Sequence, residues 1–201
     1  MKRAFCMLLL SAGLLLSGPA WCEPPVWNFD PPHCGFYFDI RHIFSTVRGQ
    51  FDDFSGSIAF DPENLDESAI DIRVEVASVD TNVDRRDEHL RSEDFFHADR
   101  YPEMTFRSTG IRALGGDRYE ATGLFRIKDV SREITVPFTF HGVTPGPMRE
   151  NTLVAGFDAR FSIDRLAYNV GTGKFYNMGV TGKTVEIVLS LEMIREGEQE
   201  K

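Results

Sequence analysis

The stretch AIDIRVEVASVD, residues 69–80, decides the fold. Ile70, Ile72, Val74 and Val76 alternate with Asp71, Arg73 and Glu75. A period of two puts every second side chain on the same face, so one face is apolar and the other wet, as in a half-buried strand. The same alternation recurs outward in both directions. Towards the N-terminus it runs through Phe36, Phe38 and Ile40, and again through Ile58 and Phe60. Towards the C-terminus it runs through Ile134, Val136, Phe138 and Phe140, and finally through Val185, Ile187, Leu189, Leu191 and Met193. Further strands are expected at about 103–112, 117–127 and 152–163. Turn signals separate these runs: Asp61-Pro62, Gly115-Gly116-Asp117, Pro145-Gly146-Pro147 and Gly171-Thr172-Gly173. Roughly eight strands with no βαβ rhythm predict an all-β, antiparallel barrel or sandwich. Pro137 has no amide hydrogen, so it is expected at an edge, a bulge or an opening of the wall.

Directly after the opening stretch the pattern breaks. DRRDEHLRSEDFFHADRYPEMTF, residues 84–106, carries nine charged side chains between Arg85 and Arg100. It reads as a short helical insert. Asp84 is expected to cap a helix starting at Arg85, with Leu90 turned inward, and Ser92 to cap a second turn ahead of Phe95 and Phe96. Tyr101-Pro102 then returns the chain to extended geometry. A helix this short needs a surface to sit on, and the mouth of a barrel would supply one.

The N-terminus has three parts. Lys2 and Arg3 precede an apolar run from Phe5 to Leu16, then small residues and Pro19. This is the layout of a secretory signal, short for a membrane span. Residues 1–22 are therefore read as a signal peptide cut before Glu23, with an uncleaved anchor and a lipoprotein cut at Cys22 as rivals. Residues 23–201 form one domain. Removing Lys2 and Arg3 takes the net charge from −9 to −11, which argues against nucleic acid as a partner. Only Cys34 survives such a cut, so no internal disulfide staples the fold.

Phenylalanine dominates the apolar positions: sixteen lie after residue 22, against eight leucines. The rings either fill a solid core or line a lumen, since about eight strands enclose a space that side chains can fill or that can hold one small ligand. His33, His42, His89, His97 and His141 show no metal-ligand spacing. GTGK at 171–174 lacks the remainder of a phosphate loop and reads as a turn. No nucleophile, base and oxyanion donor are assembled, and neither a metal nor a cofactor is expected.

Taken in order, these blocks resemble the YceI-like family of exported, lipocalin-like proteins. The residues that carry the resemblance are FDIRHIFSTVRGQFDDFSGSIAFDP at 38–62, VASVDTNVDRRDEHLRSEDFFHADRYPEMTFRST at 76–109, ATGLFRIKDVSREITVPF at 121–138 and FSIDRLAYNVG at 161–171. The family's usual His-Gly-Val-Thr turn is replaced here by Lys128-Asp129-Val130-Ser131. The resemblance implies a roughly eight-stranded lipocalin-like barrel with an apolar tunnel for a long-chain isoprenoid or a fatty-acid-like lipid, a periplasmic location and no catalysis. The expected lining is Phe36, Phe38, Ile40, Phe51, Phe60, Ile72, Val74, Phe106, Phe125, Phe138 and Phe161. Leu90, Phe95 and Phe96 would close one end, with Arg85, Arg91 or His89 near a polar head group. Transient membrane contact and a homodimer are further expectations. Two rival readings stay open: a part in isoprenoid-quinone metabolism or redox chemistry, and a filled β-sandwich serving as an interaction module.

Overall fold

The structure, a computed structural model, describes residues 23–147 and 151–197; the expected signal segment 1–22 lies outside the described residues. Ten strand segments follow in chain order: β1 (Val26–His42), β2 (Ser45–Phe51), β3 (Phe54–Ala59), β4 (Ala69–Glu75), β5 (Val79–Asp80), β6 (Glu103–Gly115), β7 (Arg118–Ile127), β8 (Val130–Pro145), β9 (Thr152–Asp164) and β10 (Thr181–Glu196). Helix α1 (Asp84–Arg91) lies between β5 and β6. The four-residue α2 (Lys174–Asn177) lies between β9 and β10.

All pairings are antiparallel. β1 bonds to β10 on one edge and to β2 and β3 on the other, which closes the sheet into a ring. β2 and β3 follow each other along the same edge of β1, separated only by Asp52-Asp53. β4 and β5 follow each other likewise, separated by a 3-10 turn at Val76–Ser78. The ring is therefore an eight-stranded closed barrel, not a two-sheet sandwich.

The stretch 69–80 is thus not one continuous strand. Val76 leaves the ladder and its amide bonds to the carbonyl of Pro102 at 2.7 Å. Two further segments show no clean apolar alternation in the sequence. β2 pairs Gly49 with Phe38, and a Cβ at Gly49 would lie 2.3 Å from the Phe38 ring. Glycine here accommodates an aromatic ring from the neighbouring strand, and it also hides the strand from a periodicity count. In β1, the register to β10 jumps between Phe29 and Cys34. The extra residues include Pro31 and Pro32, which have no amide to give to a ladder.

The connections sort the barrel into two ends. The hairpin tip at Ile43-Phe44, the insert after β5, the Lys128-Asp129 turn and the β9–β10 connection gather at the upper end. The turns after β3, β6 and β8 lie at the lower end. At the lower end Phe60 is almost fully buried, with Tyr119, Phe138, Phe140 and Phe157 at centroid distances of 5.1, 5.6, 5.0 and 5.7 Å. Trp27 and Met193 are buried there too. This end is solid.

Pro137 stands where the β8–β9 ladder stops. The last pair is Phe138 with Ala159, and the residues of β8 from Val130 to Pro137 have no β9 partner. The wall forks at that point. A 3-10 turn, Arg165–Tyr168, fills the fork, with Arg132 Nε donating to the Ala167 carbonyl at 3.0 Å and Tyr168 buried against Phe125.

Candidate functional site

Above the Phe60 cluster the barrel is hollow. A cavity of about 370 Å³ runs up the lumen, within the usual size range of ligand pockets. β10 borders it from Thr181 to Leu191, roughly 33 Å of strand at ~3.3 Å per residue. Strand tilt reduces this to about 25 Å along the axis. The space is long and narrow, suited to a chain and not to a disc.

Of the fourteen residues expected around a ligand, thirteen border this cavity. Phe36, Phe38 and Ile40 come from β1, Phe51 from β2, Ile72 and Val74 from β4, and Phe106 from β6. Phe125, Phe138 and Phe161 come from β7, β8 and β9, and Leu90, Phe95 and Phe96 from the insert. Phe60 does not border it. It follows the last residue of β3, below the lumen, and its ring forms the centre of the solid end. The lining also includes Val185, Ile187, Leu189 and Leu191 of β10, Phe157, Ala159 and Ile163 of β9, and Val47, Val170, Phe175 and Val180. The β10 set follows from the alternation in KTVEIVLSLEMI. Val170, Phe175 and Val180 lie in a connection with no period, and nothing in their spacing points to a lumen.

The insert lies across the upper end, but its local structure differs from the sequence expectation. α1 begins at Asp84 itself, and the residue before it, Val83, offers no side-chain cap. The stabilising carboxylate is Asp87, which is buried and accepts bonds from the Thr81 amide and hydroxyl. Ser92 ends the helix instead of starting a second one. Its carbonyl accepts from the amides of Phe95 and His97, and a turn results. That turn swings Phe95 and Phe96 under the helix. Phe96 meets Phe51 at 5.9 Å, and Phe95 stacks on Phe175 at 6.1 Å.

The polar groups bordering the mouth are not the expected arginines. Arg91 reaches the carbonyls of Ala77 and Val79, outside the lumen, and Arg85 is exposed. Arg86, His89 and Arg165 border the cavity. Arg86 is bonded to the Thr81 hydroxyl and carbonyl at 2.6 and 2.7 Å. Arg165 is buried; it donates to the carbonyls of Val170 and Gly182 at 2.6 and 2.9 Å, and Phe95 lies under its guanidinium at 5.8 Å. Burial pushes its pKa down from the ordinary arginine value, with Asp164 partly opposing; it stays charged. Lys128, at the turn that departs from the family pattern, donates to the carbonyls of Phe95 and Asn169, both at 2.8 Å, and so ties the insert to the β9–β10 connection. Burial lowers its pKa too. Each of these cations holds backbone in place around the mouth.

One side-chain cluster stands apart from the lumen. Asp30, His33 and Glu192 bring ligand-type atoms within 4.8 Å of one another where β1 bulges away from β10. His33 Nδ1 is 2.9 Å from Asp30. His33 and Glu192 are open to water, so the group reads as a solvated ion-pair cluster.

Among known proteins, the chain matches the YceI-like domain over residues 27–193. A UPF0312 protein from Photorhabdus laumondii is 31% identical over 193 residues, covering 94% of this chain and 97% of its own. One from Azotobacter vinelandii is 28% identical over 197 residues, covering 98% of this chain and 100% of its own. Among solved structures, Burkholderia cenocepacia BcnA superimposes with a TM-score of 0.73 at 27% identity, over 83% of this chain and 99% of that one. A polyisoprenoid binding domain from Saccharophagus degradans, implicated in plant cell wall breakdown, superimposes with a TM-score of 0.64 over 86% of this chain and 98% of that one. At 16% identity it shares the fold alone. This chain belongs to the YceI-like domain family.

Proposed function

We propose that this YceI-like protein is a non-catalytic periplasmic carrier that holds one long-chain isoprenoid or related lipid in its lumen. The observation that carries this reading is the narrow cavity of about 370 Å³, walled by aromatic and aliphatic side chains in a closed barrel. The Saccharophagus degradans domain with the same fold bears the description polyisoprenoid binding, which supports the ligand class. Chain length then decides affinity. Burying a methylene contributes about 0.8 kcal/mol, while association costs on the order of 4–15 kcal/mol. A six-carbon chain gains only about 5 kcal/mol and stays unbound, whereas a twenty-carbon chain gains about 16 kcal/mol. A binder without chemistry also fits the polar groups at the mouth: Thr81, Arg86, His89 and Arg165 are engaged with the protein's own backbone or side chains.

The test is titration of delipidated protein with a fluorescent long-chain probe, then displacement by polyprenols and fatty acids of graded length. One probe should bind per chain, and each pair of added methylenes should tighten binding about tenfold until the lumen is full. Ala159→Trp, which places an indole in the lumen, should weaken binding by more than tenfold. Absence of binding to the wild type, or equal binding by the variant, would overturn the reading.

A further inference from the structure

The upper rim carries apolar side chains that the barrel does not use. Phe44, at the tip of the β1–β2 hairpin, is 88% exposed, and Ile43 beside it is 50% exposed. Tyr176 and Met178, in the β9–β10 connection, are 43% and 63% exposed. The two segments are tied together, since the Ile43 amide donates to the Val180 carbonyl at 2.9 Å. None of these four borders the cavity, yet His42, Phe175, Val180 and Thr181 around them do. The apolar patch is therefore part of the rim of the mouth.

The backbone under this patch is strained. Ile43 has φ of 49°, a left-handed conformation that glycine or asparagine adopts readily and a β-branched residue rarely does. The tip holds an apolar side chain where a plain turn would have favoured a polar or glycine residue. Strain of this kind is found where the surrounding structure maintains it for a purpose.

Charge identifies the occupant. The whole chain is acidic, at −9. Residues 40–51 and 165–185, which form this side of the rim, contain Arg41, Arg48, Arg165, Lys174 and Lys183 and no carboxylate. Arg165 is buried. Asp39 pairs with Arg48 and Asp164 with Lys183, which still leaves Arg41 and Lys174 in excess. The insert, which packs beside the β9–β10 connection through Phe95 and Phe175, carries Asp84, Asp87, Glu88, Glu93 and Asp94 against Arg85, Arg86 and Arg91. A surface with exposed aromatic and thioether side chains ringed by cations inserts into the headgroup region of an anionic bilayer.

We infer that this rim docks the barrel on anionic phospholipid bilayers, with Phe44 and Met178 entering the headgroup layer. The mouth then faces the lipid phase, and an apolar chain passes between bilayer and lumen with little exposure to water. The docking deepens the carrier reading and draws its purpose from it, but the binding itself requires no lipid in the lumen.

Flotation with phosphatidylcholine vesicles, with and without phosphatidylglycerol, tests the inference. The wild type should float with the anionic vesicles at low salt and be released at high salt. Phe44→Ser with Met178→Ser should weaken partition by roughly tenfold or more, and Lys174→Glu by a smaller factor. Both variants alter exposed side chains, so their circular dichroism should match the wild type. Ala159→Trp should float like the wild type, which separates docking from loading: if it floats but fails to bind probe, both readings hold. No flotation of the wild type, or equal flotation of the Phe44/Met178 variant, overturns the docking surface. Loss of a dimer in sedimentation without change in flotation also overturns it and assigns the patch to a second copy of the chain.

Discussion

At the lower end of the barrel one phenylalanine, Phe60, has four aromatic rings around it within 5.7 Å. At the upper end the phenylalanines meet in pairs around the wall: Phe38 with Phe51 at 5.6 Å, Phe51 with Phe96 at 5.9 Å, Phe125 with Phe161 at 6.4 Å. The residue type is the same and the packing is opposite. Where a ring enters from a connection at the barrel floor, others converge on it and the end is sealed. Where the rings come from separate wall positions and from the insert above them, they meet in pairs at the wall and the axis is left open. Eight strands are close to the limit at which side chains still fill the interior. The placing of a single bulky residue then decides whether a given level is core or lumen.

This contrast can be broken by substitution. Phe60→Ala removes the floor, and a buried Phe→Ala costs about 3–5 kcal/mol. Thermal unfolding should show a large drop in Tm, and a small drop would mean the lower end is not the stabilising core. Asp87→Ala acts at the other end. It leaves the buried Thr81 amide and hydroxyl without their acceptor, a cost of about 1–3 kcal/mol. Hydrogen exchange should quicken in residues 82–101 and not around Phe60. Uniform quickening would show that the insert and the floor unfold as one unit. Ala159→Trp fills space instead of removing it. Inserting extra bulk into a packed core costs about 1–3 kcal/mol; in a hollow lumen the cost should fall below that, and a large loss of stability would mean the lumen is already tightly packed.

The smallest effect concerns pH. Asp39 and Arg48 clasp the β1–β2 hairpin through two bonds of 2.8 and 2.7 Å. The hydrogen bond from Arg48 holds the Asp39 carboxyl below its ordinary value, against the opposing effect of burial. A carboxyl depressed in the folded state contributes stability above its unfolded pKa and loses it as pH falls through the folded value. Asp39→Asn should therefore be slightly less stable than the wild type near neutrality. The two should converge as pH drops below about 4. A difference that persists in acid would assign the effect to packing.

The all-β class and the extents of β7 and β9 are legible in the sequence, because alternation reports directly on which face is buried; β6 starts where expected and runs three residues past its expected end, to Gly115. β2 is hidden by Gly49, whose missing side chain makes room for Phe38. The first part of β1 is hidden by the Pro31-Pro32 bulge. Ten lining positions on strands follow from the phase of the pleat together with the family resemblance, and Leu90, Phe95 and Phe96 follow from reading the insert as a cover for one end. Phe60 has the same phase and fails, because phase says which face a side chain takes and nothing about the level it occupies along the axis. Arg86, Arg165 and Lys128 are illegible for another reason. Their partners are backbone carbonyls, five residues away for Arg86 with Thr81 and Arg165 with Val170 and in separate segments for Lys128 and for Arg165 with Gly182, and bonds to carbonyls leave no pattern of residue types. The exposed Phe44 is visible only once the hairpin tip is placed.

The most direct test of a hollow upper barrel built for a guest is native mass spectrometry of the protein purified from its own host, before and after organic extraction. The account predicts a bound mass of one long apolar chain per polypeptide that disappears on extraction and is recovered in the organic phase. The bare polypeptide mass in both samples, with no uptake when polyprenol is added back, would contradict it.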